Sequence, residues 1–164
     1  EGRQLPQIGF FETEFQFPAI LENNRIWMTI TPNEIETMKE PVNEAFGNVL
    51  TFGLGLGYYA YMVSEKDNVE SVTIVEMNED VIRLFKTYIL PQFKHAHKIT
   101  IIQADAFEFA ERHMAKEQYD FVFTDLWHDV SDGRNMYTRM KTYEKQSPNT
   151  IFSYWIEKSI ACYL

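Results

Sequence analysis

Three glycines alternate at Gly53, Gly55 and Gly57, directly after an apolar run over residues 49–52. Glycine adopts positive φ without strain and lets the backbone come close to a ligand. A helix-like stretch follows, and the first turn of a helix offers free N–H groups and a positive dipole end. A second apolar run over 72–75 ends in Glu76, whose carboxylate can accept hydrogen bonds from both hydroxyls of a ribose. Two further apolar runs end beside acids, 99–103 before Asp105 and 119–124 before Asp125. One acid after a strand is ordinary turn chemistry. Three of them, together with the glycine loop, point to an adenosine-containing small molecule held outside the carboxyl ends of parallel strands.

The spacing narrows the ligand. A dinucleotide fingerprint, G-x-G-x-x-G, needs its third glycine at position 58, which is Tyr58. A tyrosine where the helix must pack closely on the strand argues against NAD and FAD. No Gly-Lys-Ser/Thr follows the loop, so triphosphate binding is not expected. Beyond the last acid comes Trp127-His128-Asp129 and then Ser131-Asp132-Gly133. His128 beside acids suits a general base near neutral pH, or equally a loop histidine bonded to Asp129 or Asp132. Trp127 suits a wall of the substrate pocket or a cover for the end of the sheet. Tyr58 and Tyr59 can cap the ligand or simply pack. His95 and His97, between Lys94 and Lys98, read as a solvated loop, and no metal-binding constellation is seen. No G-x-S-x-G elbow is present, and Cys162 reads as a small apolar residue on a C-terminal helix.

These residues need a scaffold. Strands are expected at 49–52, 72–75, 99–103, 119–124 and 150–154. Helices are expected at 58–64, 79–88, 106–115 and 134–145, with a short one at the end. Strands alternating with helices give an α/β doubly wound, mostly parallel sheet of Rossmann-like order 3-2-1-4-5. Residues 1–15 show no strong period. Residues 17–21 and 25–30 flank Glu22-Asn23-Asn24, a hairpin signal. Thr31-Pro32-Asn33-Glu34 has the form of a capping box with proline at the first helical position. Pro41 is expected to break or restart that helix and Gly47 to end it. The chain thus divides into an N-terminal hairpin and helical lead-in, 1–46, and a nucleoside-binding domain, 47–164.

Composition bounds the partners. A length of 164 residues suits one core, and an apolar fraction of 45% suits a globular protein. No apolar run approaches the roughly 20 residues that span a bilayer, so no membrane association is expected. Net charge is −9 and the cations form no stripe, which disfavours nucleic acid. One cysteine fits a reducing cytoplasm. The first residue is Glu1, which suggests a processed chain or a fragment.

Residues 47–129 resemble the core of the class I S-adenosylmethionine-dependent transferases, and more narrowly their spermidine synthase branch. The resemblance rests on Val49-Leu50-Thr51-Phe52-Gly53, Val75-Glu76-Met77-Asn78-Glu79-Asp80-Val81-Ile82, Leu90-Pro91, Asp105-Ala106-Phe107-Glu108-Phe109 and Tyr119-Asp120-Phe121-Val122-Phe123-Thr124-Asp125. Methyltransferases usually carry an acid where Thr51 stands, and the spermidine synthase branch also lacks it. The resemblance implies that Gly53, Gly55 and Gly57 line the methionine and ribose portion of S-adenosylmethionine or its decarboxylated form. It implies that Glu76 binds the ribose, that Asp105 and Ala106 contact the adenine, and that Asp125 faces the reacting end. It also implies an N-terminal hairpin, which often joins two subunits into a homodimer. Sheets of this kind carry two more strands, so a minimal or truncated version is expected. Two departures bear on activity. Leu56 replaces an acid before the last glycine, and His128 replaces the second acid of an Asp-x-x-Asp-Pro segment whose acids hold an amine. The expectation is therefore methyl transfer to an unidentified small molecule, with Asp125 and His128 as catalytic residues and Tyr58, Trp127 and Asp129 in the substrate pocket. Aminopropyl transfer to a polyamine is the alternative enzyme, and a catalytically silent nucleoside-binding or dimerisation module the alternative of another class.

Overall fold

The computed structural model of the protein describes residues 16–22 and 24–164. The aperiodic segment 1–15 and Asn23 of the expected hairpin turn lie outside the described residues. Strands β1 (Ala19–Glu22) and β2 (Arg25–Thr29) pair antiparallel, forming the expected hairpin. Helix α1 (Pro32–Glu44) starts as its sequence dictates. Thr31 Oγ1 accepts the Glu34 N–H at 3.3 Å, and Glu34 Oε2 accepts the Thr31 N–H at 2.8 Å.

The helix does not break at Pro41. It runs on to Glu44, with the Ala45 N–H donating to the Pro41 carbonyl. Proline removes one donor and crowds the preceding turn, but tertiary contacts hold this last turn in place. Pro41 and Val42 are buried, and Lys66 Nζ donates to the carbonyls of Val42, Asn43 and Ala45. Gly47 is not the helix stop. It opens the first strand of the main sheet at φ 62°, where a Cβ would collide with the Asp120 carboxylate.

The main sheet has five parallel strands in the order β5-β4-β3-β6-β7. They are β3 (Gly47–Phe52), β4 (Val69–Glu76), β5 (Ile99–Gln103), β6 (Phe121–Thr124) and β7 (Ile151–Tyr154). Numbered within the sheet, this is the expected 3-2-1-4-5. The crossovers contain α2 (Tyr58–Ser64), α3 (Glu79–Leu84), α4 (Ala106–Arg112) and α5 (Val130–Lys141), and α6 (Glu157–Ala161) follows β7. The central strands β3 and β6 are covered on both faces: Val49, Leu50, Phe52, Phe121, Val122 and Phe123 are all buried. Such continuous apolar runs are typical of parallel sheets with helices on both sides.

Several boundaries differ from the sequence reading. Strand β4 begins at Val69, and β6 begins at Phe121 and not at 119. Helix α4 ends at Arg112, with His113 as its C-cap. Helix α3 passes into a π-helical turn at Phe85–Ile89. Helix α5 starts at Val130, because Asp129 and Asp132 form a capping box there. No helix among the described residues is long and apolar enough to cross a membrane.

Candidate functional site

A cavity of about 410 Å³ opens at the carboxyl ends of the sheet strands. Ligands of open α/β sheets bind at this edge, and the volume lies within the range of small-molecule sites. Its floor is the loop between β3 and α2. Gly53 has φ 94°, and a Cβ there would strike the backbone carbonyl of Asp125. The loop and the end of β6 therefore touch only because position 53 has no side chain. Gly57, at φ 83°, packs so closely on the Phe85 ring that a Cβ would overlap it. Gly55 differs: a Cβ there meets nothing within 4 Å, and the residue lines the cavity. The space above it can admit a ligand close to the backbone.

Glu76 ends β4 and lines the same cavity. Its Oε2 accepts the Leu54 N–H at 3.1 Å, and its Oε1 accepts the Asn78 N–H at 2.8 Å. One carboxylate thus ties the glycine loop to the start of α3. Asp105 caps α4, with Oδ1 accepting the Glu108 N–H at 2.8 Å, and Ala106 is the first residue of that helix. Both line the cavity on the side of Glu76 and Met77. Carboxylates beside a glycine loop with open space above Gly55 fit a nucleoside with an extended tail.

Asp125 follows β6. It lines the same cavity, as do its neighbours Leu126, Trp127 and His128. The residue is partly buried, and its carboxyl pKa is pushed up to about 7. Loss of hydration is the main cause, the nearby Glu34 carboxylate adds to it, and His128 opposes it. Glu34, in the first turn of α1, lines the cavity as well. In the sequence this residue reads as part of a helix cap, and only the packing of α1 brings it into the same cavity as Asp125.

The remaining candidates separate. Trp127 is buried, stacks on Tyr154, and donates its indole N–H to the Trp155 carbonyl at 3.2 Å, so it both lines the cavity and closes the end of the sheet. Tyr58 and Leu56 line the cavity. So does Tyr59, whose ring packs 4.3 Å from Phe123; burial holds its hydroxyl above the usual tyrosine range. His128 is exposed at the cavity wall, and its Nδ1 lies 3.2 Å from Asp132 Oδ2. Asp129 is not part of the wall. It caps α5, and the hydroxyl and N–H of Ser131 hold its carboxyl below the usual range. Trp155, missed in the sequence, lines the cavity and donates its indole N–H to Thr37 Oγ1 at 2.9 Å. An aromatic residue at the end of a last strand carried no local signal for this. His95 and His97 lie apart from the cavity, and among the described residues no three metal-ligating side chains cluster.

Comparison with known proteins bears on the chemistry. The family model for the spermine/spermidine synthase domain matches residues 35–147. The crystal structure of spermidine synthase from Thermotoga maritima is similar over 77% of this chain and 46% of that one, at 21% identity and a TM-score of 0.52. A spermidine synthase in complex with the transition-state analogue AdoDATO is similar over the same shares, at 20% identity and a TM-score of 0.52. A conserved hypothetical protein from Streptococcus pyogenes is similar over 65% of this chain and 62% of that one, at 16% identity and a TM-score of 0.51. No curated protein matches the chain by sequence. At these identities the structures speak for the fold, and the chain spans less than half the length of the two spermidine synthases. The family match overturns the expectation of a methyltransferase. Methyl transfer rested on two substituted positions, Leu56 and His128. The match extends from α1 through α5, and changes at two side chains leave that pattern intact.

Proposed function

The chain belongs to the spermine/spermidine synthase domain family, and from that membership we propose that it is an aminopropyltransferase acting on an amine, with decarboxylated S-adenosylmethionine as donor. The observation that carries the proposal is that Asp125 lines the same cavity as the glycine loop and Glu76, with its carboxyl raised to about 7. In this reading Gly53, Gly55 and Gly57 shape the loop under the donor's tail. Glu76 holds the ribose and keeps its two backbone bonds while doing so. Asp105 and Ala106 face the adenine. Tyr58, Leu56 and Trp127 wall the reacting end.

The donor supplies a sulfonium whose propyl carbon accepts a nucleophile, with the C–S electron pair staying on sulfur. The acceptor nitrogen can attack only through its lone pair, so the incoming ammonium must lose a proton. Asp125 takes that proton: a carboxylate raised towards 7 is a stronger base than an ordinary one and matches a working pH near neutrality. His128, exposed at the same cavity wall, offers that proton a route to solvent. An in-line displacement needs little else but alignment.

The direct test is release of methylthioadenosine from decarboxylated S-adenosylmethionine in the presence of 1,4-diaminobutane. Release that depends on amine is expected. Asp125→Asn is expected to lower kcat about 100-fold or more, within the usual span for a general base. Glu76→Ala is expected to weaken donor binding by roughly 1–3 kcal/mol, the loss of hydrogen bonds to a charged group. Unchanged donor affinity in a folded Glu76→Ala protein would sink the site assignment. Absence of amine-dependent release across a panel of amines would sink the reaction.

A further inference from the structure

Two carboxylates from distant parts of the chain line the same cavity, and the charge of one acts on the other. Asp125 comes from the end of β6 and Glu34 from the first turn of α1. Around them the lining is largely apolar: Met28, Ile35, Met38, Leu126 and Trp155 belong to it. Like charges in such surroundings repel unless a proton or a cation lies between them. Glu34 is also held in place. Its Oε2 accepts Thr29 Oγ1 at 2.7 Å, the Thr31 N–H at 2.8 Å and Thr31 Oγ1 at 3.0 Å. All three bonds fall on one oxygen, and Oε1 takes part in none of them. At the position where the related segment has its second acid this chain has His128, and that side chain is exposed and bonded to Asp132.

We infer that Glu34 and Asp125 together form the binding site for the acceptor's ammonium group, Glu34 supplying from α1 the second acid that position 128 does not. The ligand class is a primary aliphatic amine, its charged end between the two carboxylates and its carbon chain against Met28, Ile35 and Met38. The inference rests on the aminopropyl-transfer reading for why an amine should enter. Glu34 is a binding residue in this scheme, and the proton still goes to Asp125.

Glu34→Gln separates charge from structure, because glutamine also serves at this position of a capping box. The measurement is calorimetric titration of 1,4-diaminobutane into the protein, with and without methylthioadenosine, for the wild type, Glu34→Gln and Glu36→Gln. Glu36 lies in the same helix, exposed and paired with Lys39. Glu34→Gln is expected to weaken amine binding at least tenfold, to leave methylthioadenosine affinity and the melting temperature unchanged, and to shift the pH midpoint of amine binding downwards. Glu36→Gln is expected to bind the amine like the wild type. Amine affinity unchanged in Glu34→Gln overturns the inference, as does a wild type that binds no amine. A protein that binds the amine through Glu34 yet releases no methylthioadenosine from the decarboxylated donor leaves the site standing and removes the reaction.

Discussion

Asp125 works at a cost to the folded state. Its pKa rises from 3.8 to about 7, mainly because burial strips water from the charged form. Below pH 3.8 the group is protonated in both the folded and the unfolded chain, and nothing is lost. As pH climbs through the interval up to about 7, the unfolded chain ionises first and is favoured. Above it the penalty is complete, up to roughly 4 kcal/mol at about 1.36 kcal/mol per pKa unit. Asp125→Asn should therefore stabilise the protein by about 2–4 kcal/mol at pH 8.5 and by far less at pH 4, while abolishing most turnover. Urea unfolding at the two pH values checks this, and an equal gain at both would contradict the burial of the carboxyl. At this scale the sequence exposed the acids that follow strands, because a strand end is a local event. Glu34 was hidden for the opposite reason: Thr31-Pro32-Asn33-Glu34 already satisfies a local rule, and its second employment depends on packing between residues far apart in the chain.

The elements were legible where a single rule dominates. Apolar runs closed by glycine or acid marked four of the five sheet strands, and their alternation with helices set the order of the sheet. Ends were less legible because tertiary contacts decide them. Strand β4 gains residues at its start by pairing Val69 with Gly47, and α1 keeps its last turn through Lys66. The π-helical turn at Phe85–Ile89 follows from no pattern in the sequence; it sets the Phe85 ring against Gly57 at the N-terminus of α2. Gly57→Ala should thus suffer twice, from a left-handed backbone costing about 1–2 kcal/mol and from overpacking of about 1–3 kcal/mol. Adding Phe85→Leu should recover part of the second loss and none of the first. Chemical denaturation of the single and double variants measures the split, and full additivity of the two changes would mean the ring and the glycine do not compete for space.

Seen whole, the molecule joins its early and late segments beside the cavity. Trp155 Nε1 donates to Thr37 Oγ1, and Lys158 Nζ pairs with Glu40, each across a sequence separation of 118 residues. Long-range closures of this kind are slow to be rewarded during folding, since loop entropy is lost before the contact forms. Trp155→Phe, which deletes the bond and keeps an aromatic ring, should accelerate unfolding several-fold and leave the folding rate nearly unchanged. Stopped-flow folding and unfolding limbs decide it, and a slowed folding limb with an unchanged unfolding limb would place this closure in the folding nucleus. The glycine loop, Glu76 and Asp105 come from one continuous stretch of chain built on β3, β4 and β5. The amine end needs α1, the end of β6 and the residues after β7. On the proposed reading, selectivity for the amine therefore depends on contacts between segments far apart in the chain, and Trp155→Phe is expected to weaken amine binding more than donor binding in the same calorimetric titration.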